Sequence, residues 1–96
     1  HWNSLIRLYG DNGRPGECLS MFRVMHSLSW TPDNYTFPFV FKACGELSSF
    51  HCGASAHALC LVTGFKSNVF VGNALVAMCS RSGSLADARK VFDEMS

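Results

Sequence analysis

The stretch GNALVAMCSRSGSLADARKVFDEMS, residues 72–96, carries the pattern of two short helices. In its second half, apolar side chains recur at steps of three and four residues and so share one helix face: Leu85, Ala88, Phe92 and Met95. Ser84 is placed to cap the start of this helix with its hydroxyl, and Asp87 favours the positive helix start. We therefore expect this last helix to bury one apolar stripe.

The segment before it, residues 70–81, has two apolar rows instead of one. These rows are Val71, Leu75 and Met78, and Val76 with Cys79. Two rows need two neighbours, as in a repeat array, where the first helix of a unit packs on its own partner and on the adjacent unit. The remaining face of this helix, which we expect to be exposed to solvent, carries Asn73, Ala77 and Ser80 or Arg81.

The same pattern recurs at a fixed interval along the chain. A shift of 70 residues superposes Asn3 on Asn73, Gly13 on Gly83 and Phe22 on Phe92. A shift of half that length, 35 residues, gives a weaker middle copy, with Gly10 on Gly45 and Asp33 on Asn68. A period of about 20 to 50 residues is typical of solenoids. The sequence therefore predicts an all-α fold, an α-solenoid of helix-turn-helix hairpins with about two and a half 35-residue repeats.

Glycine and proline mark the ends of the predicted helices. Gly13 favours the left-handed conformation that closes a helix, and Pro15 is tolerated at the start of the next one. Pro38 requires the third helix to begin near residues 35–37. The first helix is predicted at about residues 2–12, and the second begins at Pro15 with an apolar face of Cys18, Leu19, Phe22 and Met25. The third is predicted from about residues 35–37 to Gly45, and the fourth spans about residues 49–63 and stops at Gly64.

Composition excludes several classes of function. The net charge of +1 gives no strong basic footprint, so any nucleic-acid binding depends on base contacts more than on phosphate neutralisation. Apolar runs are far shorter than the ~18 residues that a membrane span needs, so we expect no membrane partner.

The chain starts almost inside one helical pattern and ends with another, and we expect an excerpt of a longer array.

The five cysteines are expected to be reduced core residues, because they form no CxxC pair and fall mostly at apolar helical positions. An alternative is a metal site built from His51, Cys52, His57 and Cys60. Only His57 and Cys60 have good helical spacing, and the set does not match known zinc spacings. The deaminase signature, HxE followed by PCxxC, is absent, as are hydrolase and phosphate-loop motifs. We expect neither enzymatic activity nor a cofactor.

The chain resembles plant pentatricopeptide repeat proteins of the class that alternates standard, long and short repeats. The resemblance rests on WNSLIRLYGDNG, CLSMFRVM, TPDNYTFPFVFKACGELSS, GASAHALCLVTGF and NVFVGNALVAMCSRSGSLADARKVFDEM. A tetratricopeptide array would instead show its own Trp, Leu-Gly, Tyr and Pro pattern at a period of about 34 residues. The resemblance implies a right-handed superhelix with a standard first unit at residues 1–33, a long second unit at 34–68 and a truncated short third unit at 69–96.

The resemblance also implies binding of single-stranded RNA in a plant mitochondrion or chloroplast, commonly to specify C-to-U editing or processing sites. It further implies editing-factor proteins as partners, and DNA is not expected to be one. In this family each repeat faces one base, which two side chains read. In the first unit these are Asn3 and Asp33, a pairing that resembles the one preferring uracil over cytosine. The third unit supplies Asn73, and the long unit offers Pro38, which has no polar group, with Asn68.

Further contacts follow from the same resemblance, and each has a plainer alternative. Tyr35 and Phe70 would stack on bases, unless the rings pack between helices. Phosphate contacts are expected from Arg7, Lys42 and Arg81, although Asp11 and Glu46 oppose a uniform basic track and most surface cations are simply solvated. Asn3 and Asn73 could instead cap helix starts. For the whole array, a scaffold that binds proteins or peptides is the alternative function.

Overall fold

The computed structural model describes residues 2–47, 50–65 and 68–81. Within these ranges the chain is entirely helical and contains no strand, which confirms the predicted all-α fold. The helices are α1 (Trp2–Asp11), α2 (Pro15–Ser27), α3 (Phe37–Glu46), α4 (Phe50–Thr63) and α5 (Val69–Arg81). The last predicted helix, with Ser84, Asp87 and the Leu85, Ala88, Phe92 and Met95 stripe, lies outside the described residues.

Local signals set most of the helix ends, as predicted. Gly13 has a φ of +66°, and the following Arg14 N–H donates to the Tyr9 carbonyl at 3.0 Å, which closes α1. Pro15 opens α2. Gly64, with a φ of +81°, follows the end of α4. These positions need glycine because side chains rarely adopt a positive φ.

The prediction that Gly45 ends the third helix is wrong. Gly45 lies inside α3, which continues to Glu46, and the Leu47 N–H then donates to the Ala43 carbonyl. A Cβ added to Gly45 would lie 3.1 Å from Arg81 Cδ and 3.7 Å from Met78 Cα, both in α5. This glycine therefore permits a close approach of two helices rather than a turn.

Gly10 has the same role one repeat period earlier. An added Cβ at Gly10 would lie 3.1 Å from Cδ1 of Phe39, which belongs to α3. The two glycines are 35 residues apart. Each leaves space on the first helix of its repeat, α1 or α3, for the close approach of the first helix of the next repeat, α3 or α5. As a result α1, α3 and α5 lie side by side in one row, with α2 packed on α1 and α3 and with α4 packed on α3.

The central helix α3 has neighbours on both sides and forms the middle of the core. Val40 in α3 is 0% exposed, whereas Leu8 in α1, which lacks a neighbour on one side among the described residues, is 54% exposed. The Phe37 ring stacks on the Phe41 ring with centroids 5.7 Å apart and contacts Phe65 at 6.2 Å. The predicted buried rows are confirmed at Cys18, Leu19 and Met25 of α2 and at Val71, Leu75 and Cys79 of α5. Phe22, Val76 and Met78 of the same rows are only partly buried. In α3, Phe37, Val40, Phe41 and Cys44 are buried.

Two small residues bring α4 close to its neighbours. A Cβ added to Gly53 would lie 3.0 Å from the Met78 sulfur, and Ala56 is buried. Ala54 and Ala58 are exposed, so they do not contribute to this contact. Among the described residues, no helix is both long and apolar enough to cross a lipid bilayer.

The cysteines whose side chains the structure describes are buried and form no disulfide: Cys18, Cys44, Cys60 and Cys79. The Cys18 thiol donates to the Phe39 carbonyl at 3.8 Å, which joins α2 to α3. Burial, with the charge of Glu46 adding to it and that of Lys42 opposing it, raises the pKa of the Cys18 thiol from 9.0 to about 11. Cys18 is therefore protonated and unreactive near neutral pH.

The helical glycines Gly10 and Gly16 should respond oppositely to substitution by alanine. Nothing lies within 4 Å of a Cβ added to Gly16, so Gly16→Ala should stabilise the protein by up to about 1 kcal/mol through helix propensity. Gly10→Ala adds a methyl against the Phe39 ring and should destabilise it by roughly 1 kcal/mol. Thermal unfolding of the two variants measures the difference. Equal stabilisation by both would contradict the close approach of α1 and α3.

The high pKa of Cys18 predicts a loss of stability in alkali. Between pH 9 and about 11 the unfolded thiol loses its proton while the folded thiol keeps it. The unfolded state then binds fewer protons, so the free energy of unfolding falls as the pH rises through this range. Cys18→Ala should show a shallower fall in chemical denaturation series at pH 8 to 11. Parallel curves for the two proteins would rule out this origin of the effect.

Candidate nucleic-acid interface

Asn3 in α1 and Asp33 before α3 are 30 residues apart in sequence and meet in the structure. Asn3 Nδ2 donates to Asp33 Oδ1 at 3.3 Å and to Oδ2 at 3.4 Å, and both side chains are partly buried. These distances are longer than the ~2.7–2.9 Å of the strongest charge-assisted bonds. The two side chains proposed as the base readers of the first unit are therefore adjacent, while their role as readers stays a prediction.

Asp33 also organises the turn that leads into α3. Its Oδ1 accepts the N–H groups of Tyr35 at 2.8 Å and Thr36 at 3.2 Å, and its carbonyl accepts the Phe37 N–H at 3.2 Å. In return, the Asp33 N–H donates to Thr36 Oγ1 at 3.1 Å. This reciprocal pattern satisfies backbone donors at a helix start, as a capping box does.

Asn68 repeats the acceptor contacts of Asp33 before α5, without the return bond to a hydroxyl. Its Oδ1 accepts the N–H groups of Phe70 at 3.0 Å and Val71 at 3.2 Å, and its carbonyl accepts the Gly72 N–H at 2.8 Å. Sequence reasoning considered capping for Asn3 and Asn73 and missed it for Asp33 and Asn68. The signal was present, because Asp or Asn just before a helical pattern is typical of a cap.

Thr36 is a further residue of the site that sequence reasoning missed. Its Oγ1 lies 2.7 Å from Asn3 Oδ1, and the residue is only 1% exposed. Asn3, Asp33 and Thr36 thus form one polar cluster between α1 and the start of α3. Asn3 lies inside α1 and bonds to this cluster, so a helix-start cap is not the contact that the structure gives it.

The other predicted readers and stacking residues lie at the starts of the first helices. Tyr35 is 70% exposed and Phe70 is 75% exposed, so neither ring is packed between helices. Asn73 is also exposed, on the predicted solvent strip of α5 with Ala77. Pro38 is partly buried in the first turn of α3. Exposed rings beside turns are sterically able to stack on a base.

The candidate phosphate-binding cations have acidic neighbours one turn away. Arg7 Nε lies 3.4 Å from Asp11 Oδ2, and Lys42 Nζ lies 4.0 Å from Glu46 Oε1. Such exposed pairs contribute at most about 1 kcal/mol, so a phosphate could displace the carboxylate. Arg81 differs, because its aliphatic part lies against Gly45. The positive charges of Arg7 and Lys42 are therefore locally compensated.

No metal centre is visible in the part of the chain that the structure describes. There, no three His, Cys, Asp or Glu side chains are close enough together to hold an ion. The alternative metal set included His51 and Cys52, whose side chains lie outside the described residues, while Cys60 is buried. The chemistry of the described site is that of hydrogen-bonding amide, carboxylate and hydroxyl groups beside exposed aromatic rings.

Two family models match the chain. One described as PPR repeat family matches residues 1–46, and one described as PPR repeat matches residues 73–96. The chain is 80% identical over 96 residues to "Pentatricopeptide repeat-containing protein At5g16860" of Arabidopsis thaliana, of which it covers 11%. It is 47% identical over 94 residues to At3g03580, of which it covers 11%, and 42% identical over 94 residues to "At3g26782, mitochondrial", of which it covers 14%. The chain thus spans only about a tenth of the length of these Arabidopsis relatives.

The turn contacts of Asp33 predict how it tolerates substitution. Asp33→Asn keeps an acceptor oxygen for the Tyr35 and Thr36 N–H groups, as Asn68 does before α5, and should change stability by less than about 0.5 kcal/mol. Asp33→Ala removes the acceptor and should cost about 1–2 kcal/mol. Thermal unfolding of both variants compares them. If the alanine variant is as stable as the asparagine variant, the turn does not depend on Asp33.

Proposed function

We propose that this chain, which belongs to the pentatricopeptide repeat family, binds single-stranded RNA along its row of first helices, with one base facing each repeat. We further propose that its repeats alternate in type, with the standard, long and short units at residues 1–33, 34–68 and 69–96. The family and the helical row α1, α3 and α5 support this proposal. RNA passing along the row would meet the starts of successive first helices, where the candidate readers lie.

The observation that carries the proposal is the contact between Asn3 and Asp33. Readout of one base by two side chains requires that they lie together, although the chain separates them by 30 residues. The bond from Asn3 Nδ2 to Asp33 fulfils that requirement. It also orders the Asn3 amide before RNA arrives, so less side-chain entropy is lost on binding.

The chemistry of this pair favours a pyrimidine. The contacts with Asp33 and Thr36 use one N–H and one lone pair of the Asn3 amide, and leave one of each for a base edge. A carboxylate only accepts, directly or through a water molecule. A donor beside an acceptor matches the edge of uracil or cytosine, and by resemblance to the family we propose that uracil is preferred.

The other two units contribute less to base readout. Pro38 occupies the reader position of the long unit, and its side chain offers no hydrogen-bonding group. The side-chain Oδ1 of Asn68 already accepts backbone N–H groups of Phe70 and Val71 in α5. We propose that this unit acts mainly as a spacer. In the third unit, Asn73 is proposed to read one base.

Aromatic and basic side chains are proposed to hold the RNA without regard to sequence. Tyr35 and Phe70 are exposed at the starts of the first helices and are proposed to stack on bases. Arg7, Lys42 and Arg81 are proposed to contact phosphates. The net charge of +1 means that binding should depend only weakly on salt compared with a strongly basic protein.

The biological setting is proposed from the relatives. The name of At3g26782 places that protein in the mitochondrion, and we propose that this chain acts on RNA of a plant organelle, mitochondrion or chloroplast. There it would help to specify a site of C-to-U editing or processing, with editing-factor proteins as further partners. The described residues are proposed to act by binding, so catalysis would belong to another domain or a recruited protein.

Substitution of Asn3 tests the readout directly. In the full-length protein, Asn3→Thr replaces the amide with a hydroxyl and should change the preference among RNAs that differ only at the base opposite the first unit. The expected change is about 1 kcal/mol or more in discrimination, as for one pair of base contacts. Asn12→Thr is the matched control, because Asn12 follows α1 at its far end and bonds to the Leu8 carbonyl. It should leave the preference unchanged.

Two results would count against the proposed function. An unchanged preference in the Asn3→Thr protein would remove Asn3 from base readout. Absence of RNA affinity in the full-length protein, with binding of peptides instead, would favour a protein-docking scaffold. Fluorescence anisotropy with labelled RNAs, measured at one salt concentration for all variants, separates these outcomes.

A further inference from the structure

Thr36 is the buried polar residue of the site, and the proposed readout gives it no contact with a base. Its side chain lies between α1 and the turn before α3 and is 1% exposed. Buried hydroxyls are almost always hydrogen-bonded, because an unsatisfied one is destabilising. Identifying the partner of this hydroxyl therefore identifies what it holds in place.

The geometry gives the proton of this hydroxyl to Asn3. A hydroxyl has one proton, and two acceptors are within reach: Asn3 Oδ1 at 2.7 Å and Asp33 Oδ1 at 3.1 Å. Asp33 Oδ1 already accepts two backbone N–H groups, from Tyr35 and Thr36. The shorter contact is therefore the bond that forms, and the hydroxyl accepts the Asp33 N–H at 3.1 Å in return.

The Asn3 amide is consequently held at both of its ends. Its oxygen faces the Thr36 hydroxyl, and its nitrogen faces the Asp33 carboxylate. Turning the amide over would place its oxygen against the carboxylate, where two acceptors would meet. It would also direct the amide N–H toward a hydroxyl that donates in the present arrangement. One orientation is thus favoured over the other.

We propose that Thr36 is a positioning residue that locks the Asn3 amide in one orientation and thereby sets which pyrimidine the first unit accepts. This inference rests on the proposed RNA readout. Uracil and cytosine present opposite patterns on the edge that an amide contacts: uracil has a donor at N3 and an acceptor at O4, and cytosine has an acceptor at N3 and a donor at N4. An amide that turns over matches both bases, and a locked amide matches one.

The next unit boundary provides a comparison within the chain. There Asn68 makes the same turn contacts as Asp33, but Val71, 35 residues after Thr36, has no hydroxyl. The matching reader position holds Pro38, which has no amide to orient. The hydroxyl is therefore present at the boundary with an amide to lock and absent at the boundary without one. The base read by the first unit thus depends on a residue of the second unit.

The test replaces Thr36 with the residue found at the next boundary. In the full-length protein, Thr36→Val keeps the shape of the side chain and removes the hydroxyl. The ratio of affinities for RNAs carrying uracil or cytosine opposite the first unit should fall about fivefold toward one, the change expected from one hydrogen bond. Thr36→Ser restores a hydroxyl and should keep the ratio. RNAs that differ opposite the third unit should show no change in any variant.

The outcomes separate this inference from the proposed function. If the unsubstituted protein has no preference opposite the first unit, or keeps it in Asn3→Thr, then the proposed readout itself fails. If Asn3 carries a preference that Thr36→Val retains in full, the readout stands and the positioning role of Thr36 is overturned. A purely structural role would lower both affinities equally and leave their ratio intact.

A second measurement does not depend on a folded variant. In a structure of the unsubstituted protein bound to RNA, the Thr36 hydroxyl should remain within hydrogen-bonding distance of Asn3 Oδ1 while the other side of the amide contacts the base. A separation beyond about 3.5 Å in that complex would overturn the inference even if Thr36→Val did not fold.

Discussion

The packing of one first helix directly on the next is the contact on which the rest of the structure depends. Gly10 and Gly45 lack the side chains that would keep α1 from α3 and α3 from α5, and this allows side chains of neighbouring units to interdigitate. The same approach brings the start of α1 against the turn before α3. Because of it, Asn3 reaches Asp33 and Thr36, which belong to a different stretch of the chain. The candidate site is therefore a product of helix packing and not of any single repeat.

Asp33 links the stability of the fold to its proposed readout. One carboxylate oxygen accepts backbone N–H groups of the turn into α3, and the carboxylate also receives the Asn3 amide. Asp33 therefore fixes two features of the site, the shape of the turn before α3 and the orientation of the Asn3 amide. Asn68 shows that an amide can fill the turn role alone. The carboxylate at Asp33 thus has a chemical role that the turn by itself does not require, since it accepts without competing as a donor.

Much of the fold was predictable because its signals are local. The period of 35 residues, the left-handed glycine Gly13 and the proline at the start of α2 predicted hairpins, and the structure has them within a residue or two. The apolar rows of α2 and α5 predicted most of their buried side chains. Gly45 was predicted to end α3 because glycine is common at the C-terminal ends of helices. Only the position of α5 shows that Gly45 instead allows α3 and α5 to pack closely. Thr36 was missed because a lone threonine before a helix gives no sign of a distant partner.

The sequence by itself determined the helices, their order and the faces that they bury, since periodicity and backbone preference act over a few residues. The resemblance of the sequence to the family singled out Asn3 and Asp33 as candidate readers. Only the tertiary structure decided that these side chains touch, that Thr36 completes their cluster, and that Tyr35 and Phe70 stay exposed. The physical reason is that these contacts join residues about 30 apart, whose distance is set by how closely two helices approach and not by any local preference of the chain.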